Sequence, residues 1–407
     1  MTALDRRIAE RAKALLPEIT AVREHLHHEL PELAMREFRT TAFIREQLAP
    51  LQLDEQPLPG VPTGLAAVLR GAQDGGGERT VALRADIDAL PIREETGLPY
   101  ASTATPDGIP TMHACGHDGH TAILIGVARI LSELRTELPG NVKFIFQPAE
   151  ENVGGALGMV RAGVLRDPPV SAIFALHCHA GSIGPGEIHL LPVPNAAVDA
   201  FTVEVMGVGG HGAHPKEARD PIVAASAIVS ALQTIVSREI APGDQAVVTV
   251  GVFRAGTQSN IIPETAHLEG TIRSRDEEVR KHIGEAVPRI CTQVAQAHRT
   301  EARVDIVPGC PMVRNSPAVL SIVRRVGERV LGAKAVRDFE EISMGGEDFS
   351  FYLEDNGGVP GAIFRLGIEE TAPGHGPRFD FGYKGLVPGM RVMAGVAVEA
   401  LLTWAEG

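Results

Sequence analysis

The chain has no Cys-x-x-Cys pair, no Cys-x-x-Cys-His and no His-Glu-x-x-His string, so a ribbon-type structural zinc, an attached haem and the zincin helix are not indicated. Cysteine is scarce: four residues, at 115, 178, 291 and 310, too widely spaced to suggest a disulfide framework. There is no basic block, and the formal charge is −13, so neither nucleic acid nor an anionic membrane is an expected partner. The N-terminal Met-Thr-Ala-Leu-Asp-Arg-Arg has no apolar signal core, and no unbroken run approaches the roughly 18 apolar residues of a membrane span. A reducing cytoplasm is the expected compartment. What remains, 44% hydrophobic and 22% charged residues in 407, reads as a soluble globular enzyme long enough for two domains.

The densest chemistry lies in His113-Ala114-Cys115-Gly116-His117-Asp118-Gly119-His120, directly before the apolar run Ile123 to Leu134. Cys and His are the usual ligands of zinc and other late first-row divalent ions, and Gly116 lets the backbone fold Cys115 and His117 toward one point. Elsewhere, a polar residue of ligand type repeatedly follows a short apolar strand. Arg84-Ala85-Asp86-Ile87-Asp88 follows Val81–Leu83, with Asp86 and Asp88 open as ligands or as anchors that orient a ligating histidine. Gln147-Pro148-Ala149-Glu150-Glu151 follows 142–146; neighbours in extended backbone face opposite ways, so one glutamate can bind metal while the other stays free as a base. His177-Cys178-His179 follows 172–176, where the histidine nearer the strand is the better ligand and Cys178 an apolar filler. The strand 362–366 leads to His375. Ligands placed in this way converge on the C-terminal edge of a parallel sheet.

The N-terminal part reads as helices over 4–30, with Pro17 a candidate kink, and 36–49; His25, His27 and His28 are left out of the site. Strands 68–69 and 81–83 read as joined by a polar hairpin, Gln73 to Gly77, whose glycines fit a tight surface turn and lack the following helix a phosphate cradle needs. From Val198 to Val307 the order becomes strand 201–206, helix 221–238, strands 246–253 and 267–273, helix 277–298, strand 302–307. This is the β-α-β-β-α-β unit of ferredoxin-like domains, inserted because the strand before His375 must return to the first sheet. Three polar groups lie in its loops and strand ends: His211 among glycines, Asn260, and Arg273. The fold class is α/β, a mostly parallel sheet with helices on both faces over 1–195 and 308–407, and an inserted α+β domain over 196–307.

The strings His-x-Cys-Gly-His-Asp-x-His, Gln-Pro-Ala-Glu-Glu, Leu-His, Gly-Gly-His-x-Ala-x-Pro, Met-x-Gly-Glu-Asp-Phe and a late His-x-Pro, in that order, resemble the metallo-amidohydrolases typified by hippurate hydrolase and the indole-acetyl-amino-acid hydrolases. These are relatives of aminoacylase and glutamate carboxypeptidase. The resemblance runs from Arg23 to the C-terminus. It implies two divalent ions (Zn, Mn, Co or Ni) bound by Cys115, His117, Glu151, His177 and His375, with Glu150 as general base. It further implies a homodimer through the inserted domain, His211 reaching the partner's site, and Asn260 with Arg273 near the substrate. Arg84 stands where the wider superfamily has a ligand histidine, which leaves Asp86 to support ligands rather than bind metal. Cys178-His179-Ala180 after His177, and Leu30 before Pro31, also depart from the commoner residues there.

The implied reaction is hydrolysis of the amide of an N-acyl or N-aroyl amino acid, a small-molecule substrate. His211 would stabilise the oxyanion and Arg273 would pair with the substrate carboxylate. The alternatives are a metal-dependent dipeptidase, aminopeptidase or carboxypeptidase acting on short peptides, and a protein that binds metal or ligand without turnover; the latter would lack the free glutamate.

Overall fold

Thr80–Asp86 sets Val81, Leu83 and Ala85 on one face and Asn141–Gln147 sets Val142, Phe144 and Phe146 on one face, with Arg84 and Lys143 among the residues opposite, so only burial on both faces marks them as interior strands. In the computed structural model, which describes residues 1–72, 79–338, 343–369 and 371–403, both are buried along their whole length. Among the described residues eight strands form one sheet, in the spatial order Asp54–Gln56, Leu65–Leu69, Asn141–Gln147, Thr80–Asp86, Val170–His179, Gly361–Gly367, Ile188–Leu190, Val336–Asp338. The four strands 141–147, 80–86, 170–179 and 361–367 run parallel. Their C-terminal ends therefore share one edge, which is where Asp86, Glu150, Glu151, His177 and the loop to His375 begin or lie.

The polar turn 73–77 lies outside the described residues, and the strands on either side of it are not a hairpin: 141–147 sits between them. Their continuous burial already marks interior strands, since a hairpin with one wet face would alternate. Helices Pro317–Leu331 and Leu386–Thr403, which the sequence reading leaves unassigned, join the core through residues such as Val323, Val326, Met390 and Ala397. Among the described residues two helices, Pro221–Glu239 and Leu386–Thr403, are by length and composition apolar enough to cross a membrane, which a count of consecutive apolar residues overlooks. In Leu386–Thr403 most of those residues belong to the protein core.

The first helix, Ala3–Glu29, starts in a capping box: Asp5 N–H donates to the Thr2 hydroxyl and Asp5 carboxylate accepts from Thr2 N–H. It continues through Pro17 and buries Ile8, Ala12, Leu15, Ile19, Val22 and Leu26 against the helices His117–Glu133 and Leu386–Thr403. Arg23, fully buried, donates to Asp118 at 2.8 Å and to Asp380, and one turn later His27 bridges Asp118 and Glu94 at 3.0 Å each. This ion network fixes the helix that carries His117. The close approach also fixes Gly119, since a Cβ there would lie 2.3 Å from the Phe381 ring.

The chain divides into two compact units, residues 1–194, 314–341 and 348–407 in one and 195–313 with 342–347 in the other. The sequence division at 195/196 and 307/308 leaves out the short segment 342–347. Asn195 explains it, its amide donating to the carbonyls of Gly345 and Gly346 while Ala196 N–H donates to Gly345. In this second unit a four-stranded antiparallel sheet has the order Glu301–Pro308, Ala197–Met206, Thr265–Ser274, Ala246–Ala255, with helices Pro221–Thr234 and Glu277–Ala297 packed on it. It is the split βαβ arrangement.

Two outcomes follow from these packings. Gly119→Ala should lower the unfolding midpoint, by about 1–3 kcal/mol, because overpacking against a rigid ring outweighs the helix propensity gained. Gly284→Ala, in the helix Glu277–Ala297 and with nothing within 4 Å of its would-be Cβ, should stabilise by up to about 1 kcal/mol. Equal signs for the two would refute the packing argument. Burial pulls the His27 pKa down, but its bonds to Asp118 and Glu94 outweigh that and raise it from 6.5 to about 9. The stability it contributes is therefore complete below about pH 6.5 and lost as pH rises to about 9. In the metal-loaded protein, the fall in urea midpoint across that window should shrink in His27→Gln.

Candidate metal centre

The helix His117–Glu133 begins after Gly116, whose φ of +81° only glycine adopts without cost, and this bend sets Cys115 and His117 toward the sheet edge. There Cys115 Sγ lies 3.5 Å from His177 Nε2. Glu151 Oε1 lies 4.0 Å from His117 Nε2 and 3.4 Å from His375 Nε2. Donor atoms of Cys115, His117 and His177 fall within 4.8 Å of one another, as do those of Cys115, Glu151 and His375, and those of His117, Glu150 and Glu151. The structure thus brings together six of the residues singled out from the sequence: Cys115, His117, Glu150, Glu151, His177 and His375.

Each donor is held by a neighbour. His117 Nδ1 faces the Asp88 carbonyl and carboxylate at 3.0 and 3.2 Å, and Asp88 also accepts the Glu151 N–H at 3.0 Å. One buried carboxylate therefore aims a histidine and a glutamate together. His177 Nδ1 is 2.8 Å from the Cys178 carbonyl, leaving Nε2 for the site. His375 has φ +62° and is fixed by its N–H donating to Ala114 O at 2.8 Å. Asp86 is already taken: its oxygens meet His120 Nδ1 and Arg84 Nη1, each at 2.6 Å. Arg84 also donates to Gln147 and to Asp348 of the Met-Gly-Gly-Glu-Asp-Phe string, so this arginine cross-links two strand ends and the start of the short helix Asp348–Tyr352.

Cys178 is buried in the core as an apolar filler would be, yet its thiol also donates to Cys115 O at 3.3 Å, supporting the ligand turn from below. His179 turns to Ser182. Sequence reasoning passed over His120, whose Nε2 accepts the Cys178 N–H at 2.9 Å; its signal was its place one helical turn after His117. It also left His27 out of the site, and the fold buries that histidine between two carboxylates.

A cation fits this donor set. His117 Nε2 and Glu151 Oε1 are both buried without a hydrogen-bond partner, a costly state for polar atoms unless something else satisfies them. Desolvation, then the charges of Glu151 and Glu150, push the Cys115 thiol well above its ordinary range, a penalty that a divalent ion reverses. Desolvation draws His117 down, but Asp86, Asp88 and Glu151 outweigh it and hold it at about 10. Desolvation and Arg365 push His177 well below 6.5, toward the neutral form that coordinates metal.

His211, Asn260 and Arg273 belong to the second unit. His211 is exposed on a short ladder in which it pairs with Ile261, and its Nδ1 accepts the Ala213 N–H at 3.0 Å. A neutral His211 therefore carries its proton on Nε2. Asn260 adjoins it, accepting the Gly212 N–H at 2.9 Å. Arg273 sits at the far end of the strand Thr265–Ser274, donating to Met344 O at 2.8 Å.

Residues 82–399 match the model of peptidase family M20/M25/M40. An N-acetylcysteine deacetylase of Bacillus subtilis is 40% identical over 395 residues, covering 96% of this chain and 99% of that one. A hippurate hydrolase of Campylobacter jejuni is 35% identical, covering 85% and 88%. A crystal structure of a dinuclear metal-binding peptidase of the M20 family from Bacillus subtilis superposes with TM-score 0.81 at 36% identity, over 96% of this chain and 99% of that one. With these matches and the donor cluster at the sheet edge, the chain belongs to peptidase family M20/M25/M40 and is a metal-dependent amidohydrolase.

Proposed function

We propose that this enzyme hydrolyses the amide bond of N-acyl or N-aroyl amino acids, with two divalent ions held by Cys115, His117, Glu151, His177 and His375. The observation that carries the reading is that Cys115 belongs to two donor groups at once, one with His117 and His177 and one with Glu151 and His375. Ions held there supply Lewis acidity toward water and the scissile carbonyl. Glu150, beside the ligand Glu151, accepts the water proton and delivers it to the leaving amine. His211, donating from Nε2, stabilises the developing oxyanion, and Arg273 offers its planar fork to the substrate carboxylate. N-acetylcysteine and hippurate, named in the relatives' activities, are both N-acyl amino acids.

His211 and Arg273 do not serve one site from one chain. The strand that starts beside the His211 ladder must run eight residues, Thr265 to Arg273, before reaching the arginine, about 27 Å at the usual rise. That separation supports a homodimer in which each site draws His211 and Asn260 from one chain and Arg273 from the other. The outer strand Ala246–Ala255, with Val247 and Phe253 exposed, leaves an edge open for such pairing.

Assays on N-acetyl, N-benzoyl and indole-acetyl amino acids beside unblocked dipeptides test the substrate class; turnover confined to the free-amine peptides would overturn it. Cys115→Ala and Glu151→Gln should each lower bound metal, whereas Glu150→Gln should keep it and lose roughly two to four orders of magnitude in turnover. Identical behaviour of the two glutamine variants would remove the division of labour. Mixing His211→Ala with Arg273→Ala should restore about a quarter of wild-type activity in an exchanging two-fold dimer, since half the dimers are mixed and each holds one whole site. No recovery after proven exchange would place both residues in one chain's contribution.

A further inference from the structure

One buried carboxylate close to the catalytic edge has no part in the chemistry above. Glu37, fully buried at the start of the helix Phe38–Leu48, uses Oε1 to accept the N–H of Ala149 at 2.9 Å and that of Met35 at 3.0 Å. Both donors are non-glycine residues in the left-handed region, Ala149 at φ +53° and Met35 at φ +61°. Ala149 immediately precedes Glu150. On the other side of Glu150, the Glu151 N–H donates to Asp88 at 3.0 Å. The general base is thus flanked by two peptide N–H groups, each bound to a buried carboxylate from a different part of the chain. The turn itself is tight: Gly155 N–H donates to Ala149 O at 3.2 Å, and a Cβ on Gly155 would lie 1.6 Å from the Pro148 carbonyl.

A glycine at 149 would adopt this conformation without strain and so need no acceptor to hold it there. An alanine held there by a buried acceptor has one orientation, at a cost in strain that the surrounding contacts must offset. We propose that Glu37 is a positioning residue for Glu150, fixing through Ala149 the backbone from which the base projects. The proposal rests on Glu150 being the base.

The test uses the metal-loaded enzyme. Glu37→Ala should lower kcat by about ten- to a hundredfold, with KM within about twofold and bound metal unchanged, because a base displaced by about 1 Å costs rate rather than binding. Glu37→Gln, whose amide oxygen still accepts both N–H groups, should stay within about threefold of wild type. In an Ala149→Gly background the kcat loss on Glu37→Ala should shrink, since glycine holds that φ without help. Should Glu37→Ala fail to fold, Glu37→Asp, one methylene short of Ala149, reads the same fall in kcat. An unchanged kcat, a parallel loss of metal, or an equal loss in both backgrounds would overturn the assignment. Glu150→Gln, measured alongside, separates the two ideas: if it retains turnover, the base reading fails whatever Glu37 does.

Discussion

Cys115, Glu150 and Glu151 cannot all carry negative charge in one desolvated place unless a cation lies among them. That electrostatic constraint organises this protein. Desolvation and the neighbouring glutamates keep the thiol protonated, and the same groups leave His117 Nε2 and Glu151 Oε1 buried with no hydrogen bond. Divalent ions resolve both problems at once, so metal binding contributes directly to the stability of the folded unit as well as to its chemistry.

The surrounding residues keep the donors in place before any ion arrives. Asp88 joins His117 to the Glu151 backbone, Asp86 holds His120, and Arg84 ties Asp86, Gln147 and Asp348 together in the buried sheet edge. Behind them Arg23 and His27 lock the helix of His117 through Asp118. Ligand geometry thus depends on a shell of buried charges that are paired, and apart from Arg84 with Asp86 these pairs join segments well separated in the chain. Removing one member would leave its partner buried and uncompensated, which is why such networks are sensitive to single substitutions.

The second unit contributes by distance. A strand is nearly inextensible, so the residues at its two ends cannot meet at one small substrate. His211 with Asn260 lies at one end and Arg273 at the other, so within one chain they are held apart. In the proposed homodimer both ends would be used without any flexible element.

Much of this was legible from residue order alone. Strands that lead to Asp86, Glu150, His177 and the run toward His375 could be read because a mostly apolar segment followed by a residue of ligand type is what a buried strand opening onto a site requires. Parallel connection then puts those ends on one edge. The β-α-β-β-α-β order of the inserted unit was equally readable from its periodicity. What the sequence could not convey were relations that depend on who lies beside whom. It suggested a hairpin where strand 141–147 intervenes, set His27 aside though it bridges Asp118 and Glu94, and gave no sign that segment 342–347 groups with 195–313. Glu37 likewise looks like any helix-start glutamate until the fold lays Ala149 against it. Local chemistry determined which residues are candidates to bind metal, because ligand type and strand position are properties of short stretches; the partners that aim those side chains come largely from distant segments, and only tertiary packing decides them.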